Sequence, residues 1–384
     1  MSASQTDIIH LTTVHPRGDI RIAVKQAATL ASTFPGRVGL VVADGLGAEQ
    51  CGGVRISDLG SVGPSKLVRP FQGFRRALRF LRSCRPSVLH FHDPELIPVG
   101  IAAKAMGIRV IYDVHEDVPR QLLGRESLGV ISRRVLASGA QIAEWIAARL
   151  FDAIVCATPR IAARFPSEKT TVVQNFPILA ELEVTKPRPY RDRPHRFVYV
   201  GVITTARGAG EMVDAVARFE PDAGVELRLA GPCRPQSLET TLHGRAGGAN
   251  VKLEGWMDRP QVAGLLDTAR AGLVLFHAAP NHVNAQPNKL FEYLSVGLPV
   301  IASDFPLWRE LVEQYRCGLL VDPADPQAIN KAMEWILEHP EEAEAMGQNG
   351  RHAVESRLNW RQESQKLISV YEGILGAVAR GPAA

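Results

Sequence analysis

The sequence is poor in the features that mark specialised protein classes. It has five cysteines, no C-x-x-C pair and no histidine at zinc-ligand spacing, so we expect free buried thiols and no structural metal. No apolar run approaches the roughly 18 residues of a membrane span, and no basic segment precedes an apolar one near the start. We therefore expect a cytoplasmic protein. Aromatic residues make up only 6% of the chain.

What is present is the composition of a globular protein of 384 residues, long enough for two domains. The net charge of +4 is divided unevenly along the chain. Residues 1–190 carry 24 Lys and Arg against 16 Asp and Glu, whereas residues 191–384 carry 20 against 24. A basic half with few aromatic residues indicates an anionic lipid surface or a phosphorylated ligand rather than nucleic acid.

Short β-branched or apolar runs alternate with helical periodicity along almost the whole chain, which is typical of parallel sheets covered by helices. Strands are predicted at 8–12, 38–43, 87–92, 109–113, 153–157 and 171–174, then at 197–202, 225–230, 251–254, 272–275, 300–302 and 318–321. Helices are predicted between them, including 20–33, 73–84, 96–106, 130–150 and 289–295. Residues 181–196 hold three prolines and many charges, which predicts a linker between domains 1–180 and 197–358. A last helical segment, 359–384, could cross back to the first domain.

Ligands of such sheets bind beyond the carboxyl ends of the strands, where several polar clusters fall. In HPRGDIR, after the first strand, His15 and Gly18 precede a helix start, and a plain turn is an equal alternative. LHFHDPE and IYDVHED then concentrate histidines and acids at two neighbouring strand ends. We expect a site for a hydroxyl-rich ligand there, although buried structural histidines are the alternative. Its candidates are His90, His92, Asp93, Asp113, His115, Glu116 and Asp117.

Two segments of the second half resemble phosphate sites. In YVGVITTARGAGEM, Gly201 and Arg207 lie between a strand and a helix, but the glycines lack the G-x-G-x-x-G spacing of a nicotinamide dehydrogenase. In HAAPNHVNAQPNKLFEYL a helix opens near Asn288, so Lys289 and backbone N–H groups can meet a diphosphate. Glu292 lies one turn further on and can accept ribose hydroxyls. The alternative is an exposed helix start.

At these residues the sequence resembles the retaining glycosyltransferases of family 4, the group 1 class with the two-Rossmann GT-B fold. The motifs that carry the resemblance are HPRGDIRI, HFHDPEL, YDVHEDVP, YVGVITTARG, LAGP, LEGW and PNKLFEYLSVGLPVIASDFPLWRELV. The resemblance covers nearly the whole chain. It implies an α/β fold of two doubly wound domains facing a cleft, an acceptor domain followed by a donor domain.

The resemblance also implies roles for individual residues. The active-site histidine of the family falls on His115, the lysine on the donor diphosphate is matched by Arg207, and the ribose glutamate falls on Glu292. Asn175 matches the asparagine that ends the first domain. The implied donor-binding set is Gly201, Arg207, Asn284, Asn288, Lys289, Leu290 and Glu292, and the implied acceptor-side set is His15, Gly18, His92, Asp93 and Glu116.

Two departures from the family pattern are visible. Val202 stands where the family usually has arginine, and Asn284 stands where it has a first glutamate. The activity implied is transfer of a sugar from a UDP- or GDP-sugar, with retention, to a glycan or polyprenyl-diphosphate acceptor of capsule, exopolysaccharide or O-antigen synthesis, with no metal or other cofactor. A catalytically silent relative that binds a nucleotide sugar or a partner enzyme is the alternative, and a sugar-nucleotide epimerase is a third.

The segment RPFQGFRRALRFLRSCR, from Arg69 to Arg85, reads as a basic amphipathic helix. Such a helix can lie on anionic lipid, where each nearby cation contributes about 1 kcal/mol. A peripheral position on the inner face of the plasma membrane would suit a lipid-linked acceptor. A helix packed on the core with a solvated basic face is an equal alternative.

Overall fold

The computed structural model describes residues 7–61, 68–125 and 129–379, with the backbone alone at 68–70 and 377–379. They form two compact units. The first takes the chain up to Asn175 together with the segment from Trp360 onward, and the second is Phe176–Asn359. The segment 181–196, predicted to be a linker, packs on the second unit, because Leu182 and Tyr190 are buried in its apolar clusters.

The first unit is built on one eight-stranded sheet. Seven of its strands are parallel, and only the short edge strand β3 runs antiparallel to its neighbour. The order across the sheet is β3-β4-β2-β1-β5-β6-β7-β8. The strands are β1 Ile8–Leu11, β2 Val38–Val42, β3 Glu49–Cys51, β4 Val54–Asp58, β5 Val88–Phe91, β6 Arg109–Val114, β7 Ala153–Cys156 and β8 Thr170–Val172.

The helices of the first unit connect these strands, as the alternation predicts. A wide π-type turn over Ile20–Ala27, capped by the Asp19 carboxylate, continues directly into α1. The helices are α1 Ala28–Thr33, α2 Val68–Cys84, α3 Ile97–Ala105, α4 Val118–Leu123, α5 Val130–Leu150, α6 Pro159–Ala162 and the last helix of the chain, α14 Trp360–Ala379.

The second unit is a six-stranded parallel sheet with the order β11-β10-β9-β12-β13-β14. Helix starts carry clear signals, such as the capping box of Asp258 and Gln261. The strands are β9 Arg196–Val200, β10 Glu226–Ala230, β11 Asn250–Gly255, β12 Ala271–Val274, β13 Val300–Ser303 and β14 Gly318–Val321. The helices are α7 Ala209–Val216, α8 Leu238–Ala246, α9 Arg259–Asp267, α10 Asn288–Ser295, α11 Pro306–Tyr315, α12 Pro326–Glu338 and α13 Pro340–Ser356.

Helix α2 has the basic outer face that the sequence predicted, whereas α5 exposes apolar residues that the sequence did not single out. In α2, Ala77 and Leu81 are buried in the core while the arginines at 75, 79 and 82 are exposed, and the Arg69 side chain lies outside the described residues. In α5, by contrast, many large apolar side chains face solvent: Val130, Ile131, Val135, Leu136, Ile142, Trp145, Ile146 and Leu150. Within the described residues, no helix combines the length and apolarity needed to span a membrane.

The five cysteines carry free thiols, but fewer of them are buried than the sequence led us to expect. Cys156 and Cys317 are buried, Cys84 and Cys233 are half-buried, and Cys51 is exposed. Cys51 lies at the end of β3, a sheet edge whose three residues all face solvent.

Candidate active site

The histidines predicted from the strand ends meet on one face of the first sheet. β1, β5 and β6 are neighbours, and His10 lies opposite His90 in the register. Because side chains alternate along a strand, Asp113 shares this face, and His92 and His115 continue it two residues later. The rings of His10, His90 and His92 lie with their centroids 4.7 to 5.2 Å apart.

Asp113 is the centre of this cluster, and its carboxylate is fully buried. Its Oδ2 accepts from His115 Nε2 at 2.8 Å, His92 Nδ1 at 3.1 Å and Gln26 Nε2 at 2.7 Å. Arg21 reaches both oxygens, with Nη2 at 2.7 Å from Oδ1. Burial opposes ionisation, but Arg21 and His115 hold the pKa of Asp113 well below its usual range.

Tyr371 of α14 closes the buried side of the cluster. Its hydroxyl lies 2.7 Å from His90 Nδ1 and 3.1 Å from His10 Nε2. His10 Nδ1 lies 3.0 Å from His92 Nε2, so the contacts continue without a break to Asp113. Burial lowers the pKa of all three histidines and raises that of Tyr371, so these rings are neutral near pH 7.

Asp93, placed on the acceptor side by the sequence, organises the loop after β1. It accepts from the Thr12 hydroxyl at 3.0 Å, the Thr13 N–H at 2.5 Å and the Val14 N–H at 3.2 Å. With 1% of its surface exposed, Asp93 is saturated by this loop. Its role in the described structure is therefore to shape the turn that carries His15.

The remaining acceptor-side candidates lie at the surface around this turn. His15 is half-buried, and its hydrogen-bonded pairing with Asp19 raises the pKa of the imidazole. Gly18 is exposed, and a Cβ added there would meet no atom within 4 Å, so the turn leaves open space beside the helix start. Glu116 is exposed and accepts from Gln121 Nε2 at 2.6 Å.

Two groups in this cluster have ligand atoms close enough for a metal ion: His10, His90 and His92, and His92, Asp113 and His115, each within 4.8 Å. Most of their nitrogen atoms already contact one another, Asp113 or Tyr371, and His10, His90 and His92 have stacked or tilted rings. These contacts form a hydrogen-bonded network. The sequence-based expectation that no metal is required stays a prediction.

The second unit brings Lys289, Gly201 and Arg207 together. Gly201 follows β9 with a φ of 124°, and a Cβ built there would lie 3.0 Å from Lys289 Nζ. The ammonium is 3.5 Å from the centre of the Tyr199 ring and 5.4 Å from that of Phe276. It has no hydrogen-bond partner among the described residues. Burial, followed by the charge of Arg207, lowers the Lys289 pKa well below its usual value.

Arg207 ends a short turn that Gly208 joins to α7. Gly208 has a φ of 71°, and a Cβ there would come within 2.2 Å of the Leu275 carbonyl oxygen, so the turn needs glycine. Arg207 Nη1 donates to the Val202 carbonyl at 3.1 Å. Val202, the position where the family usually has arginine, thus contributes a backbone acceptor that orients Arg207.

Helix α10 begins at Asn288, as the sequence predicted, and Leu290 is buried in the core. Glu292, one turn along, accepts from Arg259 Nη1 at 2.9 Å. Arg259 also pairs with Glu181 at 2.9 Å. The sequence reasoning missed Arg259. The signal that could have found it is the D-R-P-Q capping sequence, which fixes this arginine at the start of α9.

Asn284, the position of the missing family glutamate, lies in the loop before α10. Its Nδ2 donates to the Pro280 carbonyl at 3.4 Å, within the same loop. The indole of Trp308 holds this loop by donating to the Ala285 carbonyl at 2.7 Å. Asn284 therefore donates to a backbone carbonyl of its own loop, which an ionised carboxylate at this position could not do.

Family models match both halves of the chain. Residues 23–176 match the model described as Glycosyltransferase Family 4, and residues 183–353 match the model described as Glycosyl transferases group 1. The chain is a group 1 glycosyltransferase. The second match spans every predicted donor-binding residue, and the first spans His92, Asp93, His115 and Glu116. His15 and Gly18 precede the matched region.

Relatives of this glycosyltransferase agree with the assignment. A GDP-mannose-dependent phosphatidylinositol dimannoside mannosyltransferase of Mycobacterium tuberculosis is 26% identical over 82% of each chain. Sucrose-phosphate synthase of Thermosynechococcus elongatus matches with a TM-score of 0.76 at 19% identity over 96% of this chain and 99% of that one. Anabaena HepE in complex with UDP matches with 0.73 at 13% identity over 96% and 100%. The predicted two-domain α/β fold of the GT-B class is confirmed.

Proposed function

We propose that this glycosyltransferase moves a hexose from a nucleotide-diphosphate sugar to a hydroxyl of a glycan or lipid-linked acceptor, with retention of the anomeric configuration. The observation that carries the proposal is the Lys289 ammonium. It is buried, it has no hydrogen-bond partner among the described residues, and it lies beside the backbone of Gly201. An unpaired buried cation is costly in a folded protein, so a ligand of opposite charge is its natural partner.

The donor diphosphate is the anion that fits this position. Lys289 Nζ and Arg207 Nη1 lie 3.0 and 4.0 Å from the place where a Gly201 Cβ would stand, so both cations can meet a phosphate at this turn. As the glycosidic bond breaks, negative charge grows on the leaving diphosphate. Two fixed cations and the start of α10 then stabilise the transition state more than the ground state. This chemistry does not call for a metal ion.

Glu292 is the proposed partner of the donor ribose. Its carboxylate, one turn into α10, is held by Arg259 at the first residue of α9, so it is oriented before the donor arrives. A carboxylate accepts hydrogen bonds and suits a pair of ribose hydroxyls. On the other unit, His115 is proposed to orient the sugar or the acceptor. Retention is the stereochemical course that the sequence resemblance implies.

The names of the relatives support both candidate bases. One relative is named for GDP-mannose, and HepE was solved with UDP. The first experiment is therefore to measure the melting temperature of the protein with UDP-, GDP-, ADP- and dTDP-sugars. A donor present at about a hundred times its dissociation constant adds about 2.7 kcal/mol to the free energy of unfolding. We expect one nucleotide to raise the melting temperature clearly above the others.

Activity is then measured as nucleoside diphosphate release and as transfer to a polyprenyl-diphosphate-linked glycan. Arg207→Ala and Glu292→Ala should remove both donor stabilisation and turnover, whereas Arg218→Ala, an exposed arginine of the same unit, should change neither. An α-linked product from an α-linked donor supports retention, and a β-linked product overturns it. If no nucleotide binds, the transferase proposal fails and the silent-relative alternative takes its place. Release of an isomerised nucleotide sugar without transfer would indicate the epimerase.

The exposed face of the first unit supports a place on an anionic membrane, where a lipid-linked acceptor would be found. α2 and α5 both contact α3, and α2 carries exposed arginines while α5 carries exposed apolar residues. Ile131 is 80% exposed and Trp145 55% exposed. Exposed apolar side chains and exposed arginines are the residue types that contact a lipid interface with anionic headgroups. The proposed membrane contact therefore includes α5 as well as α2.

Sedimentation with phosphatidylglycerol vesicles tests the membrane proposal. The wild-type protein should sediment with these vesicles and stay in solution with phosphatidylcholine vesicles. The double change Ile131→Ser with Trp145→Ser should reduce sedimentation, whereas Trp256→Ser, which replaces a 77% exposed tryptophan on the other unit, should not. The membrane proposal is wrong if the wild-type protein does not bind anionic vesicles. If light scattering then shows a dimer that the double change converts to a monomer, these exposed residues serve self-association instead.

A further inference from the structure

The buried histidines of the first unit form a continuous chain of hydrogen bonds that ends at His115. We propose that this chain positions His115 by fixing its tautomer, with the hydrogen on Nε2 and with Nδ1 left to accept a hydrogen bond from a substrate hydroxyl. The inference rests on the proposed function, because it names the atom of that site which receives the hydroxyl. Asp113 is the positioning residue that contacts His115, His92 helps to hold the Asp113 carboxylate, and His10 and Tyr371 continue the chain behind His92.

The direction of the chain starts at Asp113. An ionised carboxylate only accepts hydrogen bonds, and Arg21 and Gln26 hold this one in place. His115 Nε2 at 2.8 Å and His92 Nδ1 at 3.1 Å must therefore both donate to Oδ2. These two nitrogens lie 3.2 Å apart because both donate to the same oxygen, so the contact between them is not itself a hydrogen bond.

This direction passes from ring to ring. Because His92 is neutral and its Nδ1 carries the hydrogen, its Nε2 must accept, and the donor 3.0 Å away is His10 Nδ1. His10 Nε2 then accepts from the Tyr371 hydroxyl at 3.1 Å. The Tyr371 oxygen in turn accepts from His90 Nδ1 at 2.7 Å. One carboxylate thus assigns the tautomers of three buried rings, and neighbouring bonds of such a chain strengthen one another.

The far end of the chain gives independent support. His90 Nε2 is buried and has no hydrogen-bond partner among the described residues. In the proposed direction this atom is a bare acceptor. In the reverse direction it would be a buried N–H with nothing to donate to, and Asp113 would have to donate a hydrogen it does not carry. Unpaired buried donors are the rarer of the two in folded proteins.

The near end of the chain faces the proposed substrate. His115 keeps 13% of its side-chain surface exposed, and its ring lies 5.2 Å from that of His15 beside the open turn at Gly18. Since Nε2 is bound to Asp113, Nδ1 is the ring atom left for a ligand. A sugar or acceptor hydroxyl that donates to Nδ1 is held with its oxygen lone pairs free.

Long-range proton–nitrogen NMR spectra of protein labelled with 15N-histidine test the tautomers directly. We expect the Nε2–H pattern for His115 and the Nδ1–H pattern for His10, His90 and His92, assigned by single histidine replacements. His243, His282 and His339 also place Nδ1 3.0 Å from a backbone carbonyl oxygen, so the single replacements are needed to assign the three buried rings. An Nδ1–H pattern for His115, or Nε2–H for His92, overturns the proposal.

Kinetic variants test the positioning role. Asp113→Asn should lower kcat by about 100-fold, the loss that a small misplacement of a reacting group can cause. Asp152→Asn, which disturbs a different ion-paired aspartate of the same unit, should lower stability alone. His115→Asn can place its amide oxygen where Nδ1 stands and should keep more activity than His115→Gln. Equal loss in the two His115 variants contradicts a substrate contact at Nδ1.

Should Asp113→Asn fail to fold, the comparison of the two His115 variants and the wild-type spectrum still decide the question. The spectrum needs no donor or acceptor, so its outcome is separate from that of the transferase assay. The predicted tautomers in a protein without transfer activity would refute the proposed function alone. Transfer activity with different tautomers would refute this inference alone.

Discussion

Replacing Lys289 by methionine should make the second unit more stable and weaken its binding of the donor. Methionine matches the length of the lysine stem and packs against aromatic rings, as the stem does beside Tyr199 and Phe276. The change removes a cation that is 7% exposed and has no hydrogen bond within the described residues. Stability and function therefore change in opposite directions, which a residue kept only for packing would not show.

The expected magnitudes follow from this environment. A buried polar group without a partner costs about 1–3 kcal/mol, so the free energy of unfolding should rise by about 2 kcal/mol. For a domain of roughly 150–250 residues this corresponds to about 4–8 °C in melting temperature. Donor binding loses a charged hydrogen bond of about 1.5–3 kcal/mol, which is roughly a 10- to 150-fold weaker affinity.

Scanning calorimetry and isothermal titration with the nucleoside diphosphate measure the two effects on the same samples. Lys331→Met, at an exposed site of α12, serves as the control and should leave both values unchanged. The lowered pKa of Lys289 adds a pH dependence: binding favours the ammonium, so affinity should fall as pH rises through the pKa of the free protein. A destabilised Lys289→Met protein that binds donor normally would refute the reasoning.

Three further predictions concern the scaffold. Gly208→Ala should lower stability by several kcal/mol in urea unfolding, because its Cβ would stand 2.2 Å from the Leu275 carbonyl oxygen; unchanged stability would contradict the observed turn. Trp308→Phe, which removes the indole donor holding the loop before α10, should weaken donor affinity in titrations more than it changes kcat at saturation. Burial raises the pKa of Glu144 to about 7 against the opposing charge of Arg164, so the folded state holds this proton more tightly. The protonated Glu144 therefore stabilises the folded state fully below pH 4.5, and this contribution of about 3 kcal/mol to the free energy of unfolding is lost as the pH rises through 7. In Glu144→Gln, pH titration of the free energy of unfolding should no longer show that loss.

Most of the parallel framework could be predicted from the sequence, because buried parallel strands are short apolar runs between helical patterns. β14 and α5 have the predicted bounds, Gly318–Val321 and Val130–Leu150. β3 and β4 were missed. Glu49–Cys51 is fully exposed and carries no apolar signal, and it becomes a strand only by pairing with Val54–Asp58.

The site was predictable where local alternation determines it. H-x-H and D-x-H at the ends of neighbouring strands place their side chains on one face, and the structure brings His92, Asp113 and His115 together there. Their long-range partners were not predictable. Tyr371 is 281 residues from His90 along the chain, and only the return of α14 to the first unit brings them into contact.

The candidate residues of the two units differ in how completely their charges are neutralised within the fold. Asp113 is surrounded by donors from four side chains, so its charge is balanced inside the fold and its role is to hold neighbouring rings in place. Lys289 has no such partner among the described residues, and its charge is opposed both by burial and by Arg207. The Tyr199 ring, 3.5 Å from the ammonium, and the charge of Glu292 offset this cost only in part, because the pKa of Lys289 is still lowered well below its usual value. In the proposed function the donor diphosphate supplies the rest, so the same imbalance that weakens the free protein strengthens the binding of that anion.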